Sequence, residues 1–127
     1  MRIHNVIICD QVRKEDNGKH LLLGVYPADV LVSDFPTTIA LVLWMQLYVD
    51  TTGEFDFEFR IQKDKKRISR TKGTLNVEDH LYPATITLPP ALIEIDGECT
   101  LSFQIREKNK RWKTAKELPV KKRPNND

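Results

Sequence analysis

Two adjoining segments, IALVLWMQLYV at residues 39–49 and EFDFEFRI at residues 54–61, decide the fold of this chain. Successive side chains of a strand point to opposite faces, and the second segment alternates in this way between charged residues and an apolar face of Phe55, Phe57, Phe59 and Ile61. The first segment is apolar at every position except Gln46 and is rich in β-branched and aromatic residues. Because a Gly-containing turn, DTTG, joins the segments, we expect an antiparallel hairpin whose first strand is central in its sheet.

Strand signals continue on both sides of this hairpin. Asn17-Gly18 separates the first two candidates and predicts a type I′ turn, which needs positive φ at both central residues. Residues 63–73 (KDKKRISRTKG) predict a basic hairpin tip or an edge strand, and residues 77–80 predict either a single helical turn or a loop. The remaining predicted strands cover residues 3–12, 20–26, 29–32, 82–88, 91–95, 98–106 and 112–120.

Eight or nine short strands with almost no helix predict an all-β fold. We expect a two-layer antiparallel β-sandwich of immunoglobulin-like or C2-like shape, with Leu101, Phe103 and Ile105 facing inward. A five-stranded OB barrel is the alternative, but the chain offers too many strands for it and no helix to plug it. The predicted domain covers residues 1–120, and residues 121–127 (KKRPNND) are expected to form a basic, disordered tail.

The composition restricts the class of protein. A chain of 127 residues fits one domain, and its longest apolar run is far shorter than the roughly 20 residues of a membrane-spanning helix. The first residues do not resemble a secretory signal, so we expect a cytoplasmic protein without membrane contact. Cys9 and Cys99 lie in apolar strand patterns and are expected to be reduced and buried, since a reducing compartment argues against a disulfide.

The segment CDQVRKEDNGKHLLLGVYPADVLV, residues 9–32, resembles the opening of an uncharacterised family of small bacterial β-sandwich proteins with the pattern DxVR, NGK, GVY. The positions that carry the resemblance are Asp10, Val12, Arg13, Asn17, Gly18, Lys19, Gly24, Val25 and Tyr26. The end of the chain is similar too, with a turn at Gly97, the strand LSFQI and a closing ELPV. The resemblance implies a bacterial or phage-related source and a β-sandwich, and it implies no activity and no catalytic residues.

The charge is unevenly distributed along the chain. Residues 1–58 hold four Lys or Arg against nine Asp or Glu, a balance of −5, whereas residues 59–127 hold sixteen against nine, a balance of +7. Two basic hairpin tips and the basic tail could lie at one end of a sandwich and bind a phosphate backbone. The alternative, which the sequence favours, is that cations keep tips and edges unpaired. The nucleic-acid candidates are Lys63, Lys65, Lys66, Arg67, Arg70, Lys110, Arg111, Trp112 and Lys113.

No pattern of catalytic or metal-binding residues stands out. His4, His20 and His80 are scattered, and none has a second His or a carboxylate at a metal-like spacing. The carboxylates of Glu54, Asp56 and Glu58 alternate along one strand and are expected to form a solvated face rather than a calcium site. We therefore predict a protein without metal, cofactor or enzymatic activity.

The central strand is apolar on both faces, so both faces must be covered. If Leu41, Leu43, Met45 and Leu47 face the core, the opposite face carries Val42, Trp44, Gln46 and Tyr48. The cover is either this chain's own tail or loops, or a partner protein or second copy, for which Trp and Tyr are the usual anchors. In the second case the acidic stripe on the neighbouring strand would form the rim and select a basic partner.

These patterns predict a non-enzymatic binding module, a component or adaptor of a protein assembly. The interface candidates are Val42, Trp44, Gln46 and Tyr48, and the partner is another protein or a second copy of the chain. A nucleic-acid-binding protein that uses the basic tips and tail is the second hypothesis. An enzyme whose site is assembled from scattered residues is the third.

Overall fold

A computed structural model of the protein describes residues 1–124, and within them the chain forms ten strands and no helix. The strands are β1 (Arg2–Lys14), β2 (His20–Val25), β3 (Val30–Val32), β4 (Thr37–Tyr48), β5 (Gly53–Lys63), β6 (Lys66–Val77), β7 (Ala84–Thr87), β8 (Ala91–Ile95), β9 (Cys99–Glu107) and β10 (Lys113–Lys122). None of residues 1–124 belongs to a helix long and apolar enough to cross a membrane.

The ten strands form two five-stranded sheets. In the first sheet β2 pairs with β1, β1 with β4, and the other edge of β4 pairs with β7 near one end and β8 near the other. Pro89 and Pro90 separate β7 from β8 because proline has no N–H to donate to β4. The second sheet has the order β3, β10, β9, β5, β6, and its β3–β10 pair is parallel. The two-layer β-sandwich predicted from the sequence is confirmed, with ten strands in place of eight or nine, and it is antiparallel except for the β3–β10 pair.

The core lies between the two sheets and is built from alternate residues of the long strands. The predicted inward side chains of β9, Leu101, Phe103 and Ile105, are at most 2% exposed. On β5, Phe57 and Phe59 are buried, while Phe55 and Ile61 are half-buried at the ends of the strand and pack against the same cluster. The period-2 pattern therefore identified the core face of both strands correctly.

Strands β4 and β5 do not pair, so the hairpin predicted from residues 39–61 is wrong. The turn after Tyr48 carries the chain from one sheet to the other, and β5 pairs with β6 and β9. The apolar faces of β4 and β5 meet across the core instead of lying side by side. Alternation shows which face of a strand is buried, but it does not show which strand is its neighbour.

The hairpin predicted at Asn17-Gly18 is present, but its turn differs from the predicted type. Gly18 has φ of +84°, whereas the φ of Asn17 is not positive. The amide of Gly18 donates to the carbonyl of Glu15, and the amide of Glu15 donates to the carbonyl of Lys19. These bonds define a three-residue loop with Gly18 as a bulge residue, so one positive φ is sufficient.

The edges of several predicted elements also differ. Strand β6 continues to Val77, and residues 78–83 form a loop rather than a helical turn. Strand β10 continues past residue 120, because Lys121 and Lys122 pair with Leu31 and Val32 of β3. The tail predicted at residues 121–127 therefore begins inside the second sheet, and residues 125–127 lie outside the described part.

Candidate functional site

The predicted interface residues lie on the outer face of the first sheet, opposite the core. Val42 is buried, and Trp44, Gln46 and Tyr48 are half-buried. The acidic stripe of β5 is on the outer face of the second sheet, because β4 and β5 are in different layers. It therefore lies on the far side of the sandwich and cannot form a rim around Trp44.

The side chain of Trp44 contacts β2, a strand that does not pair with β4. Its indole N–H donates a 2.8 Å hydrogen bond to Nδ1 of His20, and the two rings are 6.2 Å apart in an edge-to-face arrangement. Trp44 pairs with Ile7, and His20 pairs with Lys14. Along a straight strand, residues 7 and 14 would be about 23 Å apart. The hairpin formed by residues 10–25, the β1–β2 ribbon, must therefore bend back over the sheet.

The bend coincides with an irregularity at Asp10 and Gly24, where the pairing of β1 with β2 skips one residue on each strand. Gly24 has φ of +67°, and a side chain at this position would run into that of Asp10. The hydroxyl of Tyr26 donates a 2.8 Å hydrogen bond to the Asp10 carboxylate. Burial, together with this bond, raises the pKa of Tyr26 to about 12, so the hydroxyl keeps its proton at neutral pH.

The β1–β2 ribbon explains what covers one part of the two-faced central strand. Val42 lies between Trp44 and the bend and is buried. Trp44 is half-buried, and it contacts His20 of the ribbon. Gln46 bonds with Asn5 and Thr85 on the two flanking strands. The cover over Trp44 is therefore part of this chain, as one of the two alternatives had it, and it is the β1–β2 hairpin rather than the tail.

Tyr48, at the end of β4, is also in contact with its own chain. The guanidinium of Arg2 lies 4.6 Å from the centre of its ring, and the ring of His4 meets it edge to face at 5.4 Å. The predicted interface row is thus mostly engaged by residues of β1, β2 and β7. That arrangement leaves little free apolar surface at Trp44 and Tyr48.

A second apolar row, which the sequence analysis did not single out, faces away from the protein. When the ribbon bends over the sheet, His20 and Leu22 are turned toward it and are half-buried, and the alternate residues of β2 are turned to solvent. Leu21, Leu23 and Val25 are 41%, 38% and 47% exposed. Three exposed apolar side chains on one face of one strand form a contiguous patch, which we call the β2 row.

The β2 row lies on a sheet edge that lacks the usual protection. An unpaired edge can accept a strand from another chain, and proteins prevent this with charges, prolines, bulges or very short strands. Strand β6 carries four cations, β7 and β8 are separated by two prolines, and β3 is three residues long. Of these four edges in residues 1–124, β2 has one interruption of its pairing near its end but none of these protective devices along residues 20–23.

The predicted nucleic-acid residues do not gather at one end of the sandwich. The β5–β6 turn holds Lys65 and lies next to Lys63 and Lys66, whereas Lys110 and Arg111 belong to the β9–β10 turn. Along β5 the two turns are six residues apart, about 20 Å. The basic tail residues Lys121 and Lys122 are nearer the first turn, and Lys113 begins β10. A single patch made of both tips is therefore not formed.

Three of the predicted residues do come together on the outer face of the second sheet. Arg67, Arg70 and Trp112 lie beside two arginines that the sequence analysis did not select, Arg60 and Arg106. We call Arg60, Arg70 and Arg106 around Trp112, together with Arg67 near Arg60, the arginine cluster. The guanidinium carbons of Arg60, Arg106 and Arg70 lie 4.2, 4.4 and 6.0 Å from the centre of the indole ring.

One carboxylate lies within the arginine cluster. Glu58 accepts hydrogen bonds from Arg70 and, at 3.1 Å, from Arg106, and it is 6% exposed. The bond from Arg70 is the main cause that lowers the pKa of Glu58 below its ordinary value of 4.5, although burial opposes it. A buried carboxylate between two guanidiniums fixes the positions of both.

This lowered pKa predicts how stability depends on pH. Because the folded-state pKa lies below 4.5, the ion pairs of Glu58 contribute fully above pH 4.5, and their contribution is lost as the pH falls through the lowered folded value. We expect Glu58→Gln to lower the free energy of unfolding at pH 7, and the difference from the wild type to shrink below pH 4.5. Urea unfolding across this range measures both quantities. A difference that stays constant with pH would contradict the role of the carboxylate.

The two cysteine thiols lie in different sheets. Both cysteines are free thiols; Cys9 is buried in the first sheet as predicted, whereas Cys99 in the second sheet is only half-buried. Burial raises the pKa of both thiols, which disfavours the nucleophilic thiolate form. Within residues 1–124, no group of three or more His, Cys, Asp or Glu side chains lies close enough to hold a metal ion.

The residues on which the family resemblance rests belong to the β1–β2 ribbon or follow it directly. Asn17 accepts a hydrogen bond from the Lys19 amide, Gly18 forms the turn, and Asp10, Gly24 and Tyr26 hold the bend. A family model described as a family of unknown function, DUF6941, matches residues 4–110. No curated protein matches the chain.

Proposed function

The chain belongs to DUF6941, a family of unknown function, and we propose that it is a non-enzymatic module that binds an extended segment of a partner protein at the edge of β2. The observation that carries the proposal is the β2 row on an edge strand without charges or prolines. Strand addition at such an edge combines main-chain hydrogen bonds with contacts to alternate side chains. The module would thereby act as a component or adaptor of a protein assembly.

The backbone of β2 supports this mode of binding. In an antiparallel pair, residues alternate between those whose N–H and C=O bond to the partner strand and those whose groups point away. Glu15 and Lys19 are a bonded pair, so, counting in twos, Arg13 bonds with Leu21 and Gln11 with Leu23. The N–H and C=O groups of His20 and Leu22 consequently point outward, where an added strand would meet them.

The side chains support it as well. A segment that pairs with β2 places every second side chain beside Leu21, Leu23 and Val25, because a strand has a period of two. We therefore infer that the partner segment carries apolar residues at alternate positions. The bound segment would remove part of the exposed apolar surface from water, which stabilises the complex by about 25 cal/mol for each square ångström.

The β1–β2 ribbon is a suitable base for such a site because it is anchored at both ends. The bond between His20 and Trp44 ties the start of β2 to the sheet, and the bond between Asp10 and Tyr26 ties its end. An edge that is already ordered loses less conformational entropy when a segment binds. Trp44 thus contributes to the proposed interface indirectly, by positioning the strand.

The test is selection from a displayed library of short random peptides against the wild-type protein. We expect enriched peptides with alternating apolar residues. Leu21→Lys with Leu23→Lys should weaken their binding by about 30-fold or more, which corresponds to a hot spot of about 2 kcal/mol. The matched control is Leu31→Lys with Leu92→Lys, because these leucines are 44% and 77% exposed on other strands.

Two results would overturn the proposal. Peptides that bind the β2 variant and the control variant equally well would show that the edge is not the site. A homodimer of the wild type that the β2 substitutions dissociate would show that the edge serves a second copy of the chain. The immunoglobulin-like or C2-like character, the bacterial source and the cytoplasmic location stay predictions from the sequence.

A further inference from the structure

The arginine cluster has more positive charge than its own residues neutralise. Four guanidiniums and the one carboxylate of Glu58 give the cluster a net charge of +3. Glu58 pairs with Arg70 and Arg106, whereas Arg60 and Arg67 form no salt bridge within residues 1–124. Like charges held together oppose folding, so such an arrangement is stable only where other contacts hold it or an anion relieves it.

Those other contacts orient the guanidiniums. Arg60 and Arg106 stack on the indole of Trp112, and Nε of Arg60 donates to the side chain of Gln104. Stacking and these hydrogen bonds leave other N–H groups of the guanidiniums available to a ligand. Burial and the repulsion from Arg106, Arg67 and Arg70 lower the pKa of Arg60, which agrees with an uncompensated positive charge. The buried Nε–H of Arg106 has no acceptor within the described residues.

The shape of the cluster distinguishes between kinds of anion. Its guanidiniums come from three different strands, β5, β6 and β9, and converge on one surface. A carboxylate has two coplanar oxygens, and one oxygen of Glu58 already accepts from both Arg70 and Arg106. A phosphate group offers oxygens in several directions and more negative charge, so it can bridge arginines on separate strands.

We propose that the arginine cluster is a binding site for a phosphate group, with Arg60 and Arg67 as the direct ligands and Trp112 as a positioning residue. The site lies on the second sheet, on a different layer from the β2 row, so a phosphate ligand and a protein segment can be bound together. The phosphate belongs either to a nucleic-acid backbone or to a free phosphate compound. Because two arginines already stack on Trp112, the proposed recognition uses charge and not base stacking.

The test is titration with two probes, tripolyphosphate and a single-stranded oligodeoxythymidine, followed by calorimetry at about 50 mM salt, where such contacts are strong. We expect binding that weakens as salt rises. Arg60→Gln with Arg67→Gln should weaken it by about tenfold or more, since two charge-assisted contacts are lost. The matched control is Arg13→Gln with Lys14→Gln, which removes the same charge from the other sheet.

The two probes distinguish the source of the phosphate, and binding of either that depends on Arg60 and Arg67 supports the site. Binding of the oligonucleotide alone assigns it to a nucleic-acid backbone, and binding of tripolyphosphate as well assigns it to a free phosphate. No binding of either probe, or an equal loss in the control, would overturn the proposal. Polyglutamate, titrated in parallel as a carboxylate control, would also overturn it by binding more tightly than the two phosphate probes. Arg67 is exposed, so Arg67→Gln alone serves if the double variant is not folded.

Discussion

Replacing Phe57 with Ala is expected to lower the free energy of unfolding by about 3–5 kcal/mol, the usual cost of deleting a buried aromatic side chain. Phe57 is 1% exposed, in the middle of β5, and it belongs to the same buried cluster as Phe59 and Phe103. Strand β5 is paired on both sides, with β6 and β9, so its backbone cannot move far enough to fill the space. Urea unfolding measures the change.

The control for Phe57 is Phe55→Ala, two residues along the same face. Phe55 is half-buried near the end of β5, so less apolar surface returns to water when its ring is removed. We expect a loss well below that of Phe57→Ala. A loss below about 1 kcal/mol for Phe57→Ala would show that this face is not the core.

Substitution of Trp44 and Tyr48 together by Ser is expected to cost about 2–4 kcal/mol of stability, somewhat less than for a fully buried aromatic residue. The sequence alone predicted a folded monomer that loses an interface. In the structure the indole of Trp44 holds His20 and thereby the start of β2, so its removal should also loosen the β1–β2 ribbon. Tyr48 contributes less because it lies at the strand end beside Arg2 and His4.

This second prediction is checked by urea unfolding together with the single variants Trp44→Ser and His20→Ala. If His20 and Trp44 act through one contact, the effects of His20→Ala and Trp44→Ser should not be additive. A double Trp44 and Tyr48 variant that keeps wild-type stability would contradict the packing role. It would return these two rings to the interface hypothesis that the sequence suggested.

Local patterns in the sequence were sufficient for the fold class. Alternation in residues 54–61 and 101–105 predicted the buried faces of β5 and β9, and Asn17-Gly18 predicted a hairpin. Each of these features depends on residues close together in the chain. The pairing of β4 could not be predicted in the same way, because its neighbours β1, β7 and β8 all lie far from it in the sequence.

The β2 row was hidden for a related reason. The segment HLLLGV does not alternate, so it does not indicate which of its leucines face outward. That is decided by the bend at Asp10 and Gly24, which turns Leu22 toward the sheet and Leu21 and Leu23 toward solvent. The sequence did contain a signal, the run of apolar residues that follows the Asn17-Gly18 turn. It was interpreted only as the return strand of the hairpin.

The arginine cluster was predicted in part. Basic segments of the sequence indicated Arg67, Arg70 and Trp112, but Arg60 and Arg106 stand in alternating strands and were not selected. Their convergence requires the pairing of β5 with both β6 and β9. Residues on three strands cannot be grouped until the order of the sheet is known.

Hydrogen exchange of the β2 amides, with and without a peptide selected by the wild-type protein, tests the central claim most directly. In the free protein we expect the amides of Leu21 and Leu23 to be protected by β1 and those of His20 and Leu22 to exchange rapidly. Addition of the peptide should protect His20 and Leu22 and leave the other two almost unchanged. Equal protection of all four amides on binding, or no protection of His20 and Leu22, would contradict strand addition at this edge.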